Sequence, residues 1–432
     1  MSSARRDYSE FKQGWRVVFA SLVGIGLGMS PVPFYTIGML APELAKRFHW
    51  QFAEIMGGIT VMTATVLVAA PIAGLLADRF GVRKVVLTSI VLFGLSFSAF
   101  AATAGSLPLF YATWAAVAIC GAGTLPITWT RAVNNWFDAR KGLALGISLL
   151  GTGLFGFLIK PVCAWLIAHV GWRFTYLAIG AMPLGLALPI AWIFFHDTVN
   201  AGASSTAAMR HRVAAPMPGF SFREALRDWR FWLLAFAFVP ISFAVGGPIP
   251  NMENILAIHG FDKSSVATLV SFIGLSVIGG RVVGGWLIDR IWAPGVACVL
   301  LSMPAISCWL LSRATIDYPS ALVSITLIGF AAGVEYDLMA FLVARYFGMR
   351  AYAAIYGSLY GCFALGAGVG PLLFGAEFDK SHSYSVVLQA SAVMLVASAL
   401  MLLTLGRYRQ FRQIPGADIL AAAERTADQL PI

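Results

Sequence analysis

The chain of 432 residues is 59% hydrophobic and only 12% charged, with a mean hydropathy of +0.79. A soluble domain carries about 25% charged residues, so the soluble class is excluded and a polytopic membrane protein remains. The net charge of +10 does not point to nucleic acid. Most of the Lys and Arg fall on one side of the expected membrane, the asymmetry that orients helices there.

Residues 2–14 are polar and charged and run straight into the first apolar stretch without a cleavable signal, which places the N-terminus in the cytoplasm. Apolar runs long enough to cross a bilayer then follow at 15–40, 54–77, 85–102, 109–137, 142–170, 174–195, 231–256, 265–288, 295–311, 321–346, 353–376 and 386–405. Between the second and third lies Gly74-Leu75-Leu76-Ala77-Asp78-Arg79-Phe80-Gly81-Val82-Arg83-Lys84, several charges crowded into one short turn between glycines. After the sixth span comes a basic linker, 196–229, expected to end in an amphipathic turn or two. After residue 407 a short cytoplasmic helix is expected. The five cysteines lie in apolar runs without metal-ligand spacing, and no two histidines stand at H-x-x-x-H spacing, so neither a metal nor a cofactor is expected.

A repeat holds a constant offset, and four features do. Pro31-Val32-Pro33 recurs as Pro248-Ile249-Pro250, and Gly74…Asp78-Arg79 as Gly285…Asp289-Arg290. Trp136-Phe137 recurs as Tyr346-Phe347, and Lys160-Pro161 as Gly370-Pro371. The offsets all lie between about 210 and 217 residues. The expected fold is an all-α membrane protein of twelve transmembrane helices in two six-helix halves, with residues 1–195 and 230–407 as bundles, 196–229 as linker and 408–432 as tail. Such an arrangement puts a substrate site between the halves, near the midplane. The two Pro-x-Pro pairs are expected to bend spans one and seven at corresponding points.

Twelve spans, the six-plus-six repeat and G-x-x-x-D-R-x-G-x-R-K after span two together resemble the major facilitator superfamily. The resemblance implies that Gly74, Asp78, Arg79, Gly81 and Arg83, with Asp289 and Arg290, form a cytoplasmic gate that holds the halves together while the outer side is open. Within the superfamily, Asn135-Trp136-Phe137-Asp138-Ala139-Arg140-Lys141-Gly142-Leu143-Ala144-Leu145-Gly146 looks like a segment of the monocarboxylate porter and oxalate–formate antiporter branch. Arg281 in span eight stands where that branch holds a substrate carboxylate, and Tyr356-Gly357 and the glycine-rich run to Pro371 agree. Three positions depart from the pattern. Val277 replaces the Asp of proton-coupled porters, span one lacks a Lys, and span eleven lacks the Lys of the oxalate antiporter.

Charges inside a bilayer cost about 2.5–3.5 kcal/mol each on insertion scales, so five are singled out. Arg281 suits a carboxylate through its planar, permanently charged guanidinium. Lys160, beside Pro161, and Arg131, nearer the end of span four, are further candidates for binding the anion. Glu335 and Asp337 in span ten stand two apart and do not share a helix face. A carboxylate in a cavity of low dielectric suits proton coupling, because a proton relieves it of buried charge; the alternative is a static ion pair with Arg131 or Arg281. Tyr35, Tyr356 and Tyr360 are expected to line the cavity. The expected function is proton-coupled symport of a small organic anion, a mono- or aromatic carboxylate, by alternating access. An anion exchanger is the competitor, and a drug–proton antiporter comes next, disfavoured by the intramembrane cation and the lack of G-P-x-x-G-G in span five. No cluster at catalytic spacing suggests an enzyme. A monomer in a bacterial inner membrane, with both termini cytoplasmic, completes the expectation.

Overall fold

The structure, a computed structural model, describes residues 2–137, 141–196, 219–348 and 350–409. Asp138 to Arg140, most of the linker, the expected tail helix and the side chains of Asp78 and Asn135 lie outside the described residues. Among the described residues eleven helices are long and apolar enough to cross a membrane. One of them, Leu143–Phe194, is 52 residues long and turns at Gly171, where φ is 78° and ψ 169°. That backbone conformation is open to glycine and strained for other residues, so the segment holds two crossings and the total is twelve.

The Pro-x-Pro pairs break their spans as expected. Span one consists of helices Ser2–Gly26 and Pro31–Phe48, and span seven of Trp229–Gly246 and Pro248–Ile258. Proline lacks the N–H that would continue the ladder but suits the first turn of a new helix. Span four breaks likewise, between Leu107–Gly121 and Pro126–Trp136. The two breaks touch: Met29 N–H donates to Thr124 Oγ1 at 3.0 Å. Span one outruns its apolar stretch and ends at Phe48. Helix continuation needs no apolar residues, and Lys46 and Arg47 in the last turn suit the negative end of the helix dipole. The linker ends in the short helix Phe222–Arg227, capped reciprocally by Ser221 and Glu224.

Spans two (Phe52–Phe80), five (from Lys141), eight (Lys263–Ile288) and eleven (Tyr352–Ser381) carry much of the contact between the first six spans and the last six. Span two lies along span eleven and span five along span eight. Glycines on span eleven measure the gap. A Cβ on Gly375 would stand 2.8 Å from Ala53 N, one on Gly368 3.0 Å from Thr63, and one on Gly361 3.9 Å from Leu67. At Gly357 it would meet nothing within 4 Å. Spans five and eight repeat the pattern. Gly274 is pressed against Phe157 N and Gly153 O, at 2.2 and 2.4 Å from a built Cβ, while Gly146 and Gly285 face open space. Gly74 does too. The two sets of spans therefore touch at the far side of the bundle and part toward the side that holds the N-terminus and the 78–84 turn.

Far-side closure is also polar. The carboxylate of Asp379, at the end of span eleven, accepts from Phe52 N–H at 2.9 Å and Ala53 N–H at 2.7 Å. An anion on the positive end of span two is favoured there. Thr60 donates to Gly368 O at 2.6 Å.

Two exposed caps start the spans that carry the candidate charges. Asp262 accepts from Ser264 and Ser265 N–H ahead of span eight, and Asp317 accepts from Ser320 N–H at 3.3 Å ahead of span ten (Tyr318–Phe347). The hydroxyl of Ser264, which also donates to Asp262, leads in holding that carboxyl below the usual range, and the side chain of Ser320 does so for Asp317. A depressed acid contributes fully above its ordinary value and loses that contribution as pH falls through the lower folded value. Acidification to about pH 5 is therefore expected to leave both caps in place, checked by circular dichroism in detergent. Gly333→Ala would drive a Cβ to 2.2 Å from Val277 O. Its expected cost is about 1–3 kcal/mol, read from unfolding in detergent, whereas Gly357→Ala changes stability by less than about 0.5 kcal/mol.

Candidate functional site

Spans eight and ten meet backbone to backbone. Built Cβ atoms on Gly280 and Gly333 would fall 2.1 Å from Phe330 O and 2.2 Å from Val277 O, and those on Gly284 and Gly329 are nearly as crowded. Small residues four apart on both helices give the close approach typical of membrane helix pairs. This contact brings Arg281, on span eight, beside Glu335 and Asp337, on span ten.

Arg281 and Asp337 form an ion pair, Nη1 to Oδ1 at 3.7 Å, with side chains 13% and 36% exposed. That separation is too long for a hydrogen bond, and the buried Nε of Arg281 has no hydrogen-bond partner. The guanidinium thus faces an acid without having committed its donors. Glu335 is buried, has one carboxyl oxygen, Oε2, with no hydrogen bond, and lies within electrostatic reach of Arg281. Among the described residues no cation approaches it within 4 Å. The two acids do not share a face, and Asp337 is the more exposed.

A wall of tyrosines flanks this group. Tyr352, Tyr356, Tyr360 and Phe363 succeed one another along span eleven, with ring centroids 5.7, 6.3 and 6.2 Å apart. Tyr336 of span ten joins at 4.6 Å from Phe363. Tyr356 and Tyr360 are part-exposed; both lie beside Tyr336, and Tyr356 lies within electrostatic reach of the Arg281–Asp337 pair. Tyr35 is buried on the opposite side, its ring against Gly156. Arg281 and Glu335 stand close enough to act on it electrostatically.

Lys160 is elsewhere occupied. Its Nζ donates to Glu253 Oε1, and the two side chains are 1% and 4% exposed. Tyr35 lies next to this pair as well, 5.8 Å from Nζ to the ring centroid. Glu253 was not singled out from the sequence. It stands near the far end of span seven, where an acid reads as an interface residue. The break at Pro248, which turns the rest of the span into a separate helix beside span one, is the signal that places it inside.

The remaining sequence candidates lie apart from this cluster. Arg131 is exposed on span four. Near the open side, Gly81 (φ 89°) joins spans two and three, and Arg83 donates to Trp192 O at 2.6 Å. Arg79 lies over Phe80 and Arg290 over Trp286, while Asp289 is exposed.

The buried Lys160–Glu253 pair carries a stability test. Removing one partner of such a pair leaves an uncompensated charge and costs about 3–5 kcal/mol, whereas replacing both is often close to neutral. Lys160→Met alone is expected to destabilise by that amount, and Lys160→Met with Glu253→Met to recover most of it, in a double-mutant cycle on thermal unfolding.

Comparison with known proteins gives this geometry a family. The sequence model of the Major Facilitator Superfamily matches residues 23–371. An uncharacterized 38 kDa protein from Thermoproteus tenax is 29% identical, over 88% of this chain and 94% of its own length. Monocarboxylate transporter 13 of Bos taurus is 25% identical, over 91% and 90%. The crystal structure of a bacterial homologue of the human lysosomal transporter Spinster superposes with a TM-score of 0.64 at 16% identity, covering 94% of this chain and 97% of that one. With its all-helical bundle, the chain belongs to the Major Facilitator Superfamily and is a membrane transporter, not an enzyme.

Proposed function

We propose that the protein is a secondary active transporter of a small organic anion, a mono- or aromatic carboxylate, driven by proton symport. The observation that carries the reading is the uncommitted guanidinium of Arg281, deep in the bundle, 3.7 Å from its acid and with Nε unbonded. A substrate carboxylate fits such a fork in bidentate fashion. Similarity to a monocarboxylate transporter supports a carboxylate. Tyr356 and Tyr360 offer flat faces for an aromatic or planar body, with Tyr35 opposite, and Arg131, exposed on span four, is a further cation that an anion meets on its way; Lys160, bonded to Glu253 in the dry interior, is not available to it.

Glu335 is the proposed proton carrier, with Asp337 as the acid that Arg281 leaves when substrate binds. Glu335 is buried and makes no ion pair within 4 Å among the described residues; burial penalises its charged form, and a bound proton relieves it. Two six-helix bundles, 1–195 and 230–407, would rock about this site. The excess of Lys and Arg on the termini side supports a cytoplasmic location for that side, and the proposed membrane is a bacterial inner membrane. The wedge between the bundles then opens inward, and the 78–84 turn, with Asp78, and the Asp289-Arg290 turn close it when the outer side opens. The protein works as a monomer.

Uptake of labelled mono-, di- and aromatic carboxylates into proteoliposomes tests this. A carboxylate is expected to accumulate when the outside is more acidic than the lumen. Arg281→Gln should abolish uptake. Arg281→Lys should lower it about tenfold or more, because the ammonium keeps the charge and loses the planar fork. Glu335→Gln should remove the response to the proton gradient while leaving exchange of internal for external anion. Uptake that requires an internal anion and ignores the gradient would make the protein an exchanger, and movement of no acid at all would remove the carboxylate reading.

A further inference from the structure

Lys160 of span five and Glu253 of span seven belong to different sets of six spans and are bonded to each other in the dry interior. We propose that this ion pair is the far-side latch of the transport cycle, made in the state seen here and broken each time that side opens. The proposal rests on the alternating-access reading above, and it assigns a role to Glu253 that substrate binding does not require.

Three observations carry it. The first is position. Glu253 sits on the half-helix Pro248–Ile258, which packs on the second helix of span one, on the side where the two sets of spans touch. The second is fit. Glu253 Oε2 lies against Gly38 of span one, 2.1 Å from a built Cβ, and Pro250 O is 2.3 Å from the same point. Any larger residue at position 38 would push the half-helix away, so the pair closes only because glycine stands there. The third is the uncommitted oxygen. Glu253 Oε2 is buried without a hydrogen bond, so among the described residues Lys160 is the one side chain that donates to this carboxylate. Tyr35, Cys163 and Tyr384 are the other titratable groups close to the pair.

The energetics suit a latch better than a brace. Well-packed apolar residues often stabilise a closed core as much as a buried ion pair does or more, but they would oppose opening, because separation would expose them to water. Charges that part into a water-filled cleft become hydrated instead. An ion pair therefore holds the closed state while keeping the open one within reach, which a two-state cycle needs. Gly246 and Gly247, at the break of span seven, stand next to the half-helix that has to swing.

The native thiol of Cys163 reports on the latch. It is fully buried, three residues after Lys160, and within electrostatic reach of both partners. In full-length protein with Cys120, Cys298, Cys308 and Cys362 replaced by Ser, reconstituted in one orientation, a membrane-impermeant maleimide is applied from the far side without substrate. Labelling is expected to be slow in this background and at least about tenfold faster in Glu253→Gln, as the closed population falls. The charge exchange Lys160→Glu with Glu253→Lys is expected to restore slow labelling. Should single variants not fold, the uncharged double variant Lys160→Gln with Glu253→Gln gives the same readout, again with fast labelling expected. Background-rate labelling in a folded variant lacking the pair would overturn the latch. The assay contains no carboxylate, so failure of uptake and failure of the latch are told apart.

Discussion

Backbone-to-backbone contact between spans eight and ten is the constraint on which the site depends. Gly280 and Gly284 on one helix, and Gly329 and Gly333 on the other, let the two approach until a single methyl group would collide with a carbonyl. That closeness sets a guanidinium on one helix beside two carboxyls on the other, in a region where neither charge could stand alone. On these helices Arg281 and Asp337 stand 3.7 Å apart, beyond hydrogen-bond distance. The cation is left partly unsatisfied, with its Nε unbonded, and a partly unsatisfied cation is what an anion can use.

The same device with a different outcome governs the contacts between the first six spans and the last six. On the far side, glycines at 274, 368 and 375 give close packing, reinforced by Asp379 on the first turn of span two. Toward the termini side the same helices diverge, and the glycines at 74, 146, 285 and 357 look into open space. Glycine thus marks both the surfaces that are in contact and those that are apart. Helices without side chains on the facing surface can close on either end with little repacking, which suits a transporter that has to exchange the two.

Charge inside the bundle is arranged in two groups joined by Tyr35. One group, Arg281 with Glu335 and Asp337, is loosely paired and borders the part-exposed tyrosines of span eleven. The other, Lys160 with Glu253, is tightly bonded and dry. Loose pairing leaves donors available to a ligand; tight pairing leaves nothing to bind with and serves to hold helices together. The contrast separates the anion-binding role proposed for Arg281 from the latching role proposed for Lys160, although both are cations within spans.

The sequence by itself determined the membrane class, the twelve crossings and the internal repeat. These follow from hydropathy and from the spacing of Gly, Pro and charge, all of which are local along the chain. It also determined that spans one and seven break at Pro31 and Pro248, since a missing N–H acts where it stands. Arg281, Glu335 and Asp337 could be singled out because charge in an apolar run is conspicuous wherever the run ends up. Only the tertiary structure decided which charges meet. Lys160 and Glu253 are far apart in sequence, on spans whose rotation about their own axes is set by packing, and no spacing rule links them. The same holds for the extent of span one, whose last turns are polar, and for which end of the bundle is closed, since that depends on distances between helices that hydropathy does not encode.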